Sequence, residues 1–600
     1  MKTVLHLHFF VPFLLLFAAT LSSCGAQGGE HMVNSVQVVV EGPASPLVGK
    51  AAALLRGQID TRCRAAICSK DEGKVRIALS VKPGIGAEGF RIEDAGNRAI
   101  RIVGNDERGL IYGVGKFLRG SRFGEGAFAP SAWRGTSAPE KPVRGIYFGA
   151  FPNNYYCTAP VEEIRRYLEE LALWGCNALT VVLPSAPAGP DDQRGQARLA
   201  RQRAIMEAGR NVGMSVGVLI IANGGPVPSP ELRAKGRGRG GFAPDWTLCP
   251  SIPRGRELLL KQFGAAFAAL REVGIDHLII WPYDAGGCDC EQCRPWGANG
   301  FLRIAEAEAD LFHEQYPQGK IILSTWYFDD EEWAGLAKRF QEGPAWADYI
   351  VADHALAHFP TFPLQHGVPG GLPMLSFSEI SMWDTGGVGP WGGFGANPAP
   401  ALLQSSWEQA GARLVGGYPY SEGIFEDLNK VIALQFCWDS RRKAIDTVRE
   451  YAAFEYSPDV ADEVAEAVKI LEANGRHLLV GQWERRYEMR EDAEGNLRGV
   501  VRLPQADAGA QRCYELLGAA DEKLSKYARN AWRWRILLLR ALIDKELVAH
   551  NGLLTAECER ATRELEKIYH AENAPPTVKP PYAEWLLQIN AQRNPEPKRF

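Results

Sequence analysis

The sequence predicts an α/β protein organised around a closed (β/α)8 TIM barrel, with a small α/β unit ahead of it and a helical region behind it. Three observations carry this. Eight short apolar runs with strand character recur between residues 144 and 418. Segments of helical period lie between most of them. Acidic residues follow the last five runs in succession, and a barrel of this kind presents its chemistry at the C-terminal ends of its strands. No Gly-rich nucleotide fingerprint follows any run, which weighs against a doubly wound open sheet.

The chain opens with a targeting segment. Lys2 supplies a positive end, Val4 to Leu21 is largely apolar, and Leu21-Ser22-Ser23-Cys24 resembles a bacterial lipoprotein signal. That resemblance implies a signal peptide over 1–24, lipidation of Cys24, and a membrane anchor through the lipid. It places the body at the cell envelope, on the periplasmic or outer-surface side. No later stretch is apolar enough to span a bilayer. Gly-rich, polar residues to about 34 read as a tether.

A small α/β unit is expected over 35–120. Val36, Val38 and Val40 alternate onto one strand face. A helix from Leu47 to Arg56, a strand from Val75 to Val81, and a strand pair, Gly89 to Asp94 and Ala99 to Gly104, follow. Ala95-Gly96-Asn97-Arg98 makes the turn of the pair. Asp106-Glu107-Arg108-Gly109 opens the next helix. Gly, Ser and Pro from 121 to 142 read as a linker.

The barrel is expected over 143–435. Its strands are Arg144 to Ala150, Ala178 to Leu183, Ser215 to Ala222, His277 to Trp281, Lys320 to Tyr327, Tyr349 to Ala352, Met374 to Phe377 and Leu414 to Tyr418. Helical segments from 436 to 600, chiefly Asp459 to Ala473, Gln511 to Ala528 and Trp532 to His550, form a C-terminal region suited to packing or to a homodimer contact.

Composition excludes some partners. With 46% hydrophobic and 23% charged residues the 600-residue chain is a folded protein. Its net charge of −4 gives no global attraction for nucleic acid. Sixteen Trp residues serve either a large core or flat sugar-stacking surfaces.

Glycosidic hydrolysis generally needs two carboxyl groups flanking the bond. Acids that follow strands are Asp284 after the fourth, Asp329-Asp330-Glu331 after the fifth, Asp353 after the sixth, Glu379 after the seventh and Glu422 after the eighth. The Asp329 cluster reads as a helix N-terminus, where acids suit the dipole. Candidate companions are Tyr147 on the first strand, Asn223 after the third, Tyr283 beside Asp284, Trp326 on the fifth, His354, Trp383 and Tyr420. Arg144, Arg294 and Lys430 are the cations considered for a sugar carboxylate.

Residues Gly89 to Arg119, GFRIEDAGNRAIRIVGNDERGLIYGVGKFLR, resemble the small α/β domain that precedes the barrel in bacterial hexosaminidases and α-glucuronidases. The order Asp284, Asp353, Glu379 is similar to the α-glucuronidase arrangement. The resemblance implies that the strand-four acid protonates the leaving group, and that the acids of strands six and seven activate water. The family has Glu where this chain has Asp284. Hexosaminidases that recruit the substrate acetamido group carry two adjacent acids after strand four; here Tyr283-Asp284-Ala285 stands there, and the Asp329-Asp330 pair comes one strand later. The resemblance thus implies an exported glycosidase releasing a terminal acidic or N-acetylated sugar from glycans, with no cofactor for catalysis. Alternatives are a substrate-assisted N-acetylhexosaminidase, a sialidase, and a non-catalytic glycan-binding lipoprotein.

Twelve cysteines include Cys24. Cys249 before the third helix, and Cys288-x-Cys290-x-x-Cys293 after the fourth strand, fit a structural zinc site of four thiolates. Export leaves disulfides equally open, among these four or between Cys63 and Cys68. No His lies at ligand spacing, so catalytic zinc is not expected.

Overall fold

The computed structural model describes residues 32–69, 74–150, 154–183, 191–236, 246–282, 287–343, 345–354, 359–380, 394–476, 487–491, 497–501, 509–553 and 555–573. A six-stranded mixed sheet comes first, in the order Ala66–Cys68, Ser35–Val40, Val75–Val81, Ala99–Gly104, Phe90–Asp94, Gly135–Ser137. Its helices Pro46–Cys63 and Glu107–Arg119 start on side-chain caps: Ser45 accepts from the Val48 N–H and Asp106 from the Gly109 N–H. Cys63 and Cys68 are free thiols, so the bridge entertained for them is not made.

Eight parallel strands then close on themselves. They are β1 (Val143–Phe148), β2 (Ala178–Val182), β3 (Ser215–Ile221), β4 (His277–Trp281), β5 (Lys320–Ser324), β6 (Tyr349–His354), β7 (Met374–Ser378) and β8 (Leu414–Gly417). β1 pairs with β2 on one side and β8 on the other, which completes the ring. Tyr420–Ser421 continues the line of β8 against Tyr147 and Phe148 of β1. Strands such as His277-Leu-Ile-Ile-Trp281 are buried throughout, as parallel strands sheathed by helices must be.

The lumen is filled by side chains at alternate positions. Low in the barrel, the His277 ring hydrogen-bonds Thr180 at 2.7 Å and lies against Tyr418. Gly217 makes room for it, since a Cβ there would come within 2.2 Å of the imidazole. Burial pushes the His277 imidazole down to about 4, so it is neutral.

The helices Asp427–Trp438, Ala444–Glu455, Ala461–Arg476, Gly509–Lys523, Trp532–Ala549 and Ala556–Ile568 follow, with an antiparallel hairpin of Tyr487–Glu491 and Leu497–Val501. A buried ionic network ties all parts together. Asp427 accepts from Tyr167, Tyr451 and Arg533 at 2.6–2.7 Å. Arg533 also pairs with Glu170 of the barrel helix Val161–Leu173 at 2.7 Å. Arg62 of the first sheet's helix reaches Glu455 at 2.8 Å. Among the described residues no helix is long and apolar enough to cross a membrane.

Candidate active site at the C-terminal rim of the barrel

The rim sits on an aromatic floor drawn from five strand ends. Tyr147 lies 5.4 Å from Tyr420 and 5.5 Å from Phe377 between ring centres. Trp326 meets Phe377 edge-on at 5.7 Å and Trp281 at 5.8 Å. These rings belong to one buried cluster with Ile279, Ile322, Val351 and Leu375, which fixes the lumen phase of each strand. Beside Trp326, Tyr327 is 49% exposed and has a positive φ of 55°. A non-glycine residue held in the left-handed region is a point of local backbone strain.

Three acids lie at the strand ends around that floor. On β6, Asp353 comes two residues after the lumen-lining Val351 and pairs in register with Phe377 of β7. Glu379 follows Phe377 by two and bridges to Tyr420, half-buried. Glu422 follows Tyr420 by two and is buried. In register, Asp353 is level with Phe377 and Glu379 with Tyr420, so each acid lies two residues further along than the one on the strand before it. The Tyr420 hydroxyl donates to Glu422. Burial pushes that hydroxyl well above its ordinary range, and the Glu422 and Glu379 carboxylates add to it, so it stays a proton donor.

Glu422 is held through its backbone. The Glu426 carboxylate accepts from the Ser421 hydroxyl at 2.8 Å and from the Glu422 and Gly423 N–H groups at 2.7 Å. Lys430, fully buried, donates to the Gly423 carbonyl and to Tyr167. From the far end of the chain, the Tyr569 hydroxyl donates to the Glu422 carbonyl at 2.9 Å. A Cβ on Gly423 would come within 2.3 Å of that hydroxyl, so glycine is required by the close approach.

Other expected site residues lie elsewhere. Arg144 is not at the rim. It sits near the start of β1, where its guanidinium pairs with Glu88 and donates to the Gly175 and Lys141 carbonyls at 2.8 and 2.9 Å. It is a joint between the first sheet and the barrel base, not a sugar-carboxylate cation. Lys430 is likewise spent on the Glu422 loop. Arg294 is exposed beside the cysteine loop, where it donates to the Asp289 carbonyl. His354 pairs in register with Ser378 of β7. Asn223 is buried and ties the end of β3 to Leu248: its side chain donates to the Leu248 carbonyl and its own carbonyl accepts from the Leu248 N–H. Asp329 is a helix cap, in a reciprocal box with Glu332. The adjacent-acid signature that kept the hexosaminidase alternative open is thus helix-capping chemistry. Asp284, Tyr283, Trp383 and Cys24 lie outside the described residues.

Next to the rim, the Sγ atoms of Cys249, Cys288, Cys290 and Cys293 all fall within 4.8 Å of one another. All four are free thiols. A cluster of this kind is a metal-ligand set by its donor chemistry.

The sequence matches no family model and no curated protein. The fold does match solved structures. One is a family 115 4-O-methyl-α-glucuronidase with specificity for decorated arabinogalactans, at TM-score 0.58 and 12% identity over 92% of this chain and 78% of that one. A family 138 enzyme targeting pectin rhamnogalacturonan II gives 0.56 and 12%, over 94% and 92%. A family 89 glycoside hydrolase from Clostridium perfringens, in complex with 2-acetamido-1,2-dideoxynojirmycin, gives 0.57 and 11%, over 92% and 76%. The likeness is one of fold. That fold, a (β/α)8 barrel with flanking domains, is the one the sequence resemblance implies.

Proposed function

We propose that the protein is an exported glycoside hydrolase that releases a terminal acidic or N-acetylated sugar from a glycan. The observation that carries this is the rim itself: Asp353, Glu379 and Glu422 at the C-terminal ends of three neighbouring strand lines, around an aromatic floor. Flat sugar faces suit the rings, and glycosidic cleavage needs the carboxyls. The named specificities of the structural neighbours, arabinogalactan, pectin and an acetamido sugar analogue, favour this substrate range.

In the mechanism, Asp284 gives its proton to the leaving oxygen as the glycosidic bond breaks. Asp353 or Glu379 takes a proton from water, whose oxygen bonds to the anomeric carbon from the opposite face, so configuration inverts. Glu422, steadied by Tyr420, binds sugar hydroxyls. Asp284 can act as the acid only if burial or a neighbouring charge raises its affinity for the proton. No step calls on a cofactor. The Leu21-Ser22-Ser23-Cys24 segment supports export and a lipid anchor at Cys24.

The test is incubation of the soluble body with arabinogalactan, pectin and mucin glycans, with released monosaccharides identified by mass. Release of a uronic acid or N-acetyl sugar, lost in Asp284→Asn, supports the reading. Binding without any release makes the protein a glycan-binding lipoprotein instead. Release of a sialic acid moves it to the sialidase alternative.

A further inference from the structure

The four cysteines bring together two loops that are remote in sequence. Cys249 lies in the loop after β3, and Cys288, Cys290 and Cys293 lie in the loop after β4. Cys249 Sγ is 3.8 Å from Cys290 Sγ and 4.0 Å from Cys293 Sγ. A tetrahedron with zinc–sulfur bonds of about 2.3 Å has edges of about 3.8 Å. A disulfide would hold sulfurs at about 2.05 Å. The spacing is that of ligands around a common centre.

The surroundings suit thiolates. The Lys235 N–H donates to Cys288 Sγ at 3.3 Å, and the Ser251 hydroxyl lies 2.9 Å from Cys293 Sγ. Such donors spread the negative charge of a tetrathiolate centre and orient its ligands. The loop folds as a knuckle: the Cys293 and Arg294 N–H groups both donate to the Cys290 carbonyl, at 2.9 and 3.1 Å. Cys249, Cys288 and Cys293 are buried.

The knuckle also grips Pro282, at the end of β4, and Gly287. Trp296 donates to the Pro282 carbonyl at 3.2 Å. Its ring lies so close to Gly287, which has a φ of +64°, that a Cβ there would overlap it. A Cβ on Gly300 would meet both Trp296 and Cys293, at 2.7 and 2.8 Å. Pro282 and Gly287 bracket the segment that carries Asp284. On the other loop, Asn223 fastens Leu248, the residue before Cys249, to the end of β3.

We propose that Cys249, Cys288, Cys290 and Cys293 bind one structural zinc ion, which staples the β3 and β4 loops at the rim and positions Pro282 and Gly287 through Trp296. The site is closed by four protein ligands, so it supplies stability and placement and leaves no open position for water. It stands independently of the sugar the rim accepts.

Elemental analysis of the full chain, purified without chelator, is expected to find about one zinc per chain. Cys249→Ser is expected to hold less than about a tenth of that, while Cys68→Ser, outside the cluster, retains it. Metal-free protein from zinc-supplemented cells, with an intact mass lowered by the hydrogens lost to disulfides among these four cysteines, overturns the assignment. If Cys249→Ser does not fold, exchange of cobalt into the wild type decides. The visible bands of a tetrahedral tetrathiolate centre support the site, and their absence overturns it. Hydrogen exchange reads the stapling: on zinc removal, protection over 246–250 and 287–300 is expected to fall by about tenfold or more, with 35–120 unchanged. Zinc loss without that local change overturns the positioning role.

Discussion

The two ends of the barrel treat charge in opposite ways. At the base, the Arg144 guanidinium is wrapped by Glu88 and two backbone carbonyls, and Asn177 bonds both Glu88 and the Arg144 N–H. At the rim, the backbone of Glu422 and Gly423 is pinned by Glu426, Lys430 and Tyr569, while the Glu422 carboxylate accepts from the Tyr420 hydroxyl in a zone already carrying Glu379. Base charges are neutralised by specific partners and hold domains together. At the rim the ties run to the main chain of Glu422 and Gly423. The first arrangement serves cohesion; in the proposed function the second presents acids to a substrate.

The largest effects should separate these ends. Glu379→Gln and Glu422→Gln are each expected to lower kcat/KM by about 10²–10⁴-fold, with urea midpoints close to wild type. A matching loss of stability would mean that the rim acids hold the fold. Next, Arg144→Ala and Arg533→Ala leave buried carboxylates without their cation and should each cost about 3–5 kcal/mol in denaturant unfolding. The surviving folded fraction of Arg144→Ala should keep its kcat/KM. A specific loss of activity on acidic substrates alone would return Arg144 to the binding site.

A third prediction contrasts two buried carboxyls. Asp427 has its proton affinity opposed by two effects: burial raises it, but Arg533 and Lys430 outweigh this and hold it below the ordinary range. Glu308, on the helix Gly300–Gln315, is fully buried and has no hydrogen-bond partner for either oxygen among the described residues. Burial alone raises it well above the ordinary range. The folded state therefore keeps a proton that the unfolded chain releases above about pH 4.3. Stability from Glu308 is complete below that pH and is lost as pH rises towards the folded value, at up to about 1.4 kcal/mol per pH unit. Glu308→Gln should remove this decline, so its advantage in Tm over wild type grows from pH 5 to pH 8. Parallel curves would show a charged, solvated Glu308. Asp427 has the opposite sign: its contribution is lost as pH falls.

The smallest effect concerns the pin on Glu422. Tyr569→Phe removes one hydrogen bond to a buried carbonyl, worth about 1–3 kcal/mol. A several-fold drop in kcat with KM little changed is expected, because the acid is displaced and the floor is intact. A change in KM alone would show that Tyr569 touches substrate.

Most of the barrel was legible because each buried parallel strand is a short apolar run with helices beside it. The fifth strand was read too long, to Tyr327. It ends at Ser324, whose hydroxyl receives the Trp326 N–H, and Tyr327 turns with positive φ. Period-two counting from Val351, Phe377 and Tyr420 leads directly to Asp353, Glu379 and Glu422, so the rim acids were visible as a pattern. Arg144 was misplaced because its partner, Glu88, belongs to another sheet, and nothing local announces it. The hairpin Tyr487–Glu491 with Leu497–Val501 escaped notice because Tyr487 and Met489 alternate with charges over only five positions and Leu497 to Val501 does not alternate. The hold of Tyr569 on Glu422 spans 147 positions, and no spacing rule reaches that far.

That last contact has a temporal meaning. All eight strands leave the ribosome before the segment bearing Tyr569 is made, so a nascent chain can complete its cylinder while the loop of Glu422 is still unfastened. The Glu422 loop acquires its last fastening only when the segment behind the helix Ala556–Ile568 docks, and a chain stopped short of Tyr569 would present a closed cylinder with that loop one tie short.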